Sequence, residues 1–258
     1  MKPGSLYQEE KLITTVLKLL ISKTHGMVNT HVIDLSKYRI IDLTAELQPG
    51  IKKVNGRYLH RTDPVSPNRR LEFEQFIYQP NSDYMHHVFT ETHLGTHVEV
   101  SSHLNFDKSL PFGREGGMHC AEFPLETWLG PCCVVDLAHK RPIDGQGQGI
   151  TADDCASVED RDIVLMRSPY RGIEQPYLTA EAQQALIAKR IKQWGFQGVS
   201  WGLEPDGHDV FQLHNIPIIE GLVNLDRIQK SRVFYIGTVL KWVGLDGCWL
   251  RALVLEDR

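Results

Sequence analysis

Three histidines and a carboxylate fall in one short run, His93-Leu94-Gly95-Thr96-His97-Val98-Glu99-Val100-Ser101-Ser102-His103. Imidazole and carboxylate at this density suit a divalent cation such as Zn²⁺ or Mn²⁺. On a helix His93 and His97 would share a face while Glu99 and His103 pointed elsewhere; in extended chain all four positions project to one side. The spacing therefore predicts a strand. A straight strand would leave His93 and His97 about 13 Å apart, too far for one ion. The chain must bend between them, and Gly95 is where it can. His97-x-Glu99 then supplies the next two ligands, and a turn at Ser101-Ser102 brings His103 back.

At these residues the chain resembles the metal-dependent cyclase-family hydrolases, which include kynurenine formamidase and isatin hydrolase. Their signature, HxGTHxDxPxH, is matched at His93, Gly95, Thr96, His97 and His103. Glu99 stands where the family has Asp, which keeps the carboxylate and adds a methylene. Ser101 stands where it has Pro, which is expected to loosen the turn. The resemblance covers roughly Arg39 to Leu255. It implies a second arm, His208 and Glu220, that with Glu99 as a bridge would hold a second ion, so that one or two ions are expected. It also implies that His103 is catalytic, taking a proton from the attacking water and delivering it to the leaving nitrogen. An unperturbed histidine pKa of about 6.5 suits that work. The implied reaction is hydrolysis of an amide, formamide, cyclic amide or lactone by water that a divalent metal activates. A metal-dependent cyclase or dehydratase, or a binding protein that has lost turnover, are the alternatives. Members are typically oligomeric, so a homodimer or homotetramer is expected.

The elements that must position these groups read as α/β. Arg39–Thr44, Leu71–Tyr78, Met85–Thr92, Cys132–Leu137 and Asp162–Met166 have strand character. A helix capped by Thr179 is expected to run on through Ile191 and stop at Gly195, with Gly198–Leu203 as the next strand. Val233–Leu240 and Trp249–Leu255 are expected to form two strands around the turn Gly244–Gly247. Strand, capped helix and strand in succession indicate an α/β architecture, and the resemblance implies the cyclase-family swivelling β/β/α fold, a mixed central sheet or barrel-like β core flanked by helices. We expect a helical extension over residues 1–36, with an amphipathic helix near Gln8–Ser22, then a single domain over 37–258. Lys52–Arg70 and Phe106–Gly117 read as loops. The adjacent His86 and His87, and His214 and Asp209 near the second arm, are weaker candidates for a role at the site.

Composition narrows the partners. The 258 residues carry a formal net charge of −4 with both signs interspersed, so there is no basic patch for nucleic acid. The apolar run Ile13–Ile21 is broken by Lys18 and is too short for a membrane span. Five cysteines without a CxxC spacing point to reduced thiols and the cytoplasm. A small-molecule substrate fits all of this.

Overall fold

The computed structural model describes residues 34–47, 53–54, 57–58, 71–80, 82–104, 117–200 and 207–258. The helix expected near Gln8–Ser22, the loop Phe106–Gly117 up to its last residue and the far end of the expected strand Gly198–Leu203 lie outside them. In chain order the strands are β1 (Tyr38–Asp42), β2 (Lys53–Val54), β3 (Arg57–Tyr58), β4 (Leu71–Tyr78), β5 (Asp83–Thr90), β6 (His97–Glu99), β7 (Leu129–Asp136), β8 (Gly149–Ile150), β9 (Ile163–Arg167) and β10 (Tyr177–Leu178). They continue as β11 (Gln193–Gln197), β12 (Ile218–Glu220), β13 (Arg232–Ile236), β14 (Gly247–Trp249) and β15 (Leu253–Asp257). Two α-helices are described, α1 (Ala180–Ala188) and α2 (Gly207–Leu213).

Nine strands make one mixed sheet in the order β1-β15-β13-β7-β9-β11-β12-β6-β14. The neighbours β7, β9, β11 and β12 run parallel, and both flanks are antiparallel. The parallel centre is apolar on both faces, as a sheet covered on both sides requires. Val134, Leu165 and Ile219 face one core with Trp128 and Tyr235. Val135, Met166 and Ile218 alternate to the other, where Leu186 of α1 and Phe211 of α2 pack beside Trp194. Beyond β1, Leu43 donates to Ala252 O at 2.8 Å and accepts from Val223 N at 3.0 Å, and Thr44 bridges Leu222. These bonds tie the β15 side to the end of β12 and curl the sheet into a half-barrel.

Several local expectations are corrected. α1 is capped by Thr179 as expected, its hydroxyl accepting from Ala182 N, but it ends at Ala188 rather than at Gly195. Arg190 takes φ +51, a left-handed conformation that ends helices. Gly195 instead lies in mid-strand, where a Cβ would come within 2.9 Å of Leu222, 3.0 Å of Leu165 and 3.1 Å of Ile219. The residue marks close packing between strands, not a helix stop. The stretch Lys52–Arg70, expected as a loop, contains the short hairpin β2–β3. The C-terminal segment makes three strands, not two. β13 pairs with β15, whereas β14 crosses to the far edge of the sheet and pairs with β6. That crossing matters for the site.

Candidate metal centre

β6 carries the heart of the motif. Val98 turns into the barrel-side core, so His97 and Glu99 face the other side, towards α2. In the antiparallel ladder Glu220 of β12 stands opposite His97. On the other edge β14 pairs Gly247 with Glu99, which places Asp246 beside the motif. The expected bend lies at Gly95, with φ +65, where a Cβ would come within 2.4 Å of Leu47. Gly221 also has φ +65, and its missing Cβ would sit 2.1 Å from Gly95 O. The two glycines let the start of β6 and the end of β12 touch. Thr96 clamps the crossing, donating to Gly221 O at 2.7 Å and accepting from Ala45 N at 2.8 Å.

The fold thus brings His93, His97, Glu99, His103 and Glu220 together. His97 Nδ1 faces the carbonyl of Gly95 at 2.9 Å. A carbonyl can only accept, so that nitrogen carries the hydrogen and Nε2 presents a lone pair. Nε2 is buried and makes no hydrogen bond. It lies 3.5 Å from Glu99 Oε1 and 3.7 Å from Glu220 Oε2. Those separations exceed hydrogen-bond length, yet ligand atoms held about 2.0–2.1 Å from a tetrahedral ion lie roughly 3.3 Å apart. Donor atoms of His93, His97 and Glu99 all fall within 4.8 Å of one another, and so do those of His93, His103 and Asp246. An orphaned lone pair between two carboxylates fits a divalent cation, because leaving it unpartnered would cost about 1–3 kcal/mol.

His93 shows how the cluster balances charge. Its Nδ1 lies 2.8 Å from Glu99 Oε1 and its Nε2 2.9 Å from Asp246 Oδ2. Burial opposes the imidazolium, but the two carboxylates outweigh it and raise the pKa to about 9. The same hydrogen bonds, from His103 and then His93, hold Asp246 far below the usual carboxylate range. A cation shared by His93 and Glu99 would take the place of that proton.

His103 closes a short 3₁₀ turn, Ser101–His103, as expected, and its Nδ1 meets Asp246 Oδ2 at 2.8 Å. The turn is not loosened by serine, which corrects the sequence expectation. Ser101 is buried; its hydroxyl donates to Asn215 Oδ1 at 2.6 Å and accepts from Met118 N at 2.9 Å. Proline would fix φ but could make neither bond. His208 lies in α2, and its side chain is outside the described residues. His214 lies in the turn just after α2, where its ring bonds the carbonyl of Val210, four residues earlier, at 2.8 Å and is exposed rather than in the cluster. His86 and His87 sit on the exposed β4–β5 hairpin, where His87 stacks on Phe76 at 4.5 Å. All five cysteines are free and buried.

Two contributors escaped the sequence reading. Asp246 bridges His93 and His103, and Gln212 of α2 reaches Glu99 Oε2 at 3.3 Å. Asp246 read only as part of a turn between glycines, and no spacing rule links it to a histidine that lies 143 residues away.

Comparison with known proteins follows the same lines. Over 236 residues the chain is 26% identical to the kynurenine formamidase of Erythrobacter litoralis, covering 86% of this chain and 95% of that one. Over 186 residues it is 27% identical to the kynurenine formamidase of Sphingopyxis alaskensis, covering 66% and 79% respectively. Among solved structures, isatin hydrolase A from Labrenzia aggregata shares the fold with a TM-score of 0.64 at 21% identity, over 94% of this chain and 100% of that one. Residues 41–202, more than half of the sequence and including the whole histidine motif, match the Cyclase family model, and the chain belongs to that family.

Proposed function

We propose that this chain is a metal-dependent hydrolase of carbon–nitrogen bonds other than peptide bonds, taking a small amide, formamide or cyclic amide as substrate, with the acyl C–O bond of a lactone open to the same attack. The observation that carries the reading is the buried, unpartnered Nε2 of His97, aimed between Glu99 and Glu220 beside a His103–Asp246 pair. The names of the kynurenine formamidase relatives support the same chemistry. His93, His97 and Glu99 would hold one divalent ion. Glu99, His208 and Glu220 would hold a second. Mixed imidazole and carboxylate donors suit Zn²⁺ or Mn²⁺. Such an ion supplies Lewis acidity towards a carbonyl and makes water acidic enough to ionise near neutrality.

The protein's own groups do the rest. Asp246 accepts from Nδ1 of His103, which fixes the ring's tautomer and leaves Nε2 to exchange protons. His103 takes a proton from the attacking water as the C–O bond forms. It returns that proton to nitrogen as the C–N bond breaks, so a formamide and water give an amine and formic acid. Gln212 orients the second oxygen of Glu99. The five buried thiols support a cytoplasmic setting, and no helix among the described residues is long and apolar enough to cross a membrane.

The test is turnover of aryl formamides, cyclic amides and lactones in ¹⁸O-labelled water. Hydrolysis puts one solvent oxygen into each acid product. Turnover that leaves the label in the solvent would show cyclase or dehydratase chemistry instead.

A further inference from the structure

The parallel strands β7, β9 and β11 end side by side, with Asp136 opposite Arg167 and Arg167 opposite Gln197. Alternation puts these three on the face of Val134, Leu165 and Gly195, away from that of His97 and Glu99. They form a polar row where the core of the half-barrel ends. Next to the row lies a cavity of about 530 Å³, which Ser168, Arg171 and Asp226 also line and to which no residue of the metal centre contributes. Small-molecule sites span roughly 300–1,000 Å³, and the carboxyl ends of parallel strands are where α/β sheets place ligands.

The row is fixed and electrically balanced. Arg167 donates to Asp136 Oδ2 from Nε at 3.0 Å and from Nη2 at 2.7 Å, and its Nη1 donates to the carbonyls of Leu225 and Ile228, each at 2.6 Å. Burial works to raise the Asp136 pKa, but the Ala138 N–H and Arg167 hold it below the usual carboxylate value. Gln197 Oε1 accepts from Leu225 N at 2.8 Å, which leaves the amide N–H groups for a ligand. Ser168 is buried, and its hydroxyl oxygen accepts from Tyr170 N at 3.1 Å while the hydroxyl hydrogen stays available. Arg171 is also pinned, its Nη1 donating to the carbonyls of Ser168 and Tyr170, each at 2.8 Å. Gly198, at φ +73, makes room for that guanidinium, because a Cβ there would collide with Nη1. Among the described residues no carboxylate pairs with Arg171 and no cation pairs with Asp226.

We propose that this cavity binds a small carboxylic acid that also carries an amino or hydroxyl group, with the carboxylate on Arg171 and the Ser168 hydroxyl and the second group on Asp226. Charge argues for that pairing. Arg167 cancels Asp136, so one fixed cation and one carboxylate remain. Together they suit a single anionic group with a donor beside it, and Asp226 would repel a phosphate dianion. Geometry argues the same way, because a guanidinium edge takes a carboxylate through two parallel hydrogen bonds, and Nε and Nη2 of Arg171 are the edge that remains. Pinning Arg171 beforehand reduces the rotamer freedom lost on binding. The proposal rests on this cavity alone and stands whether or not the chain is a hydrolase.

The experiment is isothermal titration of the full chain, as purified, with L-phenylalanine, L-phenyllactate, 3-phenylpropionate and phenethylamine. Loss of one charge-assisted hydrogen bond corresponds to about tenfold or more in affinity. At least one of the first two probes is therefore expected to bind about tenfold tighter than either of the last two, and which one does so tells an amino from a hydroxyl ligand. Arg171→Gln is expected to weaken that binding by a similar factor, and His97→Ala to leave it unchanged. No binding of either donor-bearing acid overturns the proposal, as does equal affinity for 3-phenylpropionate. Binding that disappears in His97→Ala overturns it too, by placing the acid at the metal centre. A second measurement needs no variant. Hydrogen exchange of the native chain is expected to slow over residues 168–174 and 225–228 when the tighter acid is added, and to stay the same over 93–103. Unchanged exchange in the first two segments overturns the site.

Discussion

Replacing Asp246 with Asn removes one charge and keeps the shape. The native carboxylate oxygen Oδ2 accepts from His93 at 2.9 Å and from His103 at 2.8 Å. An amide oxygen can keep one of these bonds well, but its charge no longer strengthens either. Hydrogen bonds to charged groups contribute about 1.5–3 kcal/mol, and a positioned general base is worth about 10²–10⁴ in rate. Loss of one such bond at His103 therefore predicts a fall in kcat/KM of about 10- to 100-fold for Asp246→Asn, with Asp246→Ala falling further. The assay is steady-state hydrolysis of an aryl formamide, with metal per chain measured on the same samples so that lost metal and lost proton transfer are separated. An Asp246→Asn enzyme with native metal content and kcat/KM within about twofold of native would refute the role given to this residue.

Ser101→Ala removes a buried hydroxyl and its bonds to the exposed Asn215 and the half-buried Met118 N–H, a loss of about 0.5–1.5 kcal/mol per bond that scanning calorimetry should register as a fall of a few degrees in Tm. Ser101→Pro is expected to fall similarly although it restores the family's own residue, and a proline variant as stable as native would contradict the hydrogen-bonded turn. Asp154 gives a pH-dependent prediction. Burial works to raise its pKa, but Lys140 at 2.7 Å, the Thr151 N–H and His139 hold it at about 2. Its folded pKa lies below its unfolded value of about 3.9, so its contribution is full above that value and is lost as pH falls towards 2. Asp154→Asn should cost about 1–2 kcal/mol at pH 7 after allowance for solvent screening. Urea denaturation should show the difference closing between about pH 4 and pH 2, whereas a pH-independent difference would contradict the pairing.

The clustering of His93, His97 and Glu99 was legible in the sequence because residue type and local geometry coincide. Alternation over His97-x-Glu99 fixes a strand face, and only a glycine could make the bend that His93 needs. Thr179 was legible as a cap for the same local reason. What was not legible came from the order of the strands. Asp246 reaches the histidines only because β14 leaves its neighbours in sequence and pairs with β6, and no local pattern encodes that crossing. Gly195 looked like a helix stop because glycine serves two purposes, ending helices and letting strands pack closely, and only the Leu165, Ile219 and Leu222 contacts distinguish them. Ser101 was misjudged because a proline position was read as a conformational requirement alone. The turn is held instead by a hydroxyl whose partner, Asn215, lies 114 residues on.

The central claim is that His97 Nε2 ligates a divalent cation. Elemental mass spectrometry on protein purified without chelator or a histidine tag measures this directly, with His97→Ala as the control. The account predicts one to two equivalents of zinc or manganese per chain, lost in the variant. A native chain that carries no metal, and retains none after soaking in either ion, would contradict it.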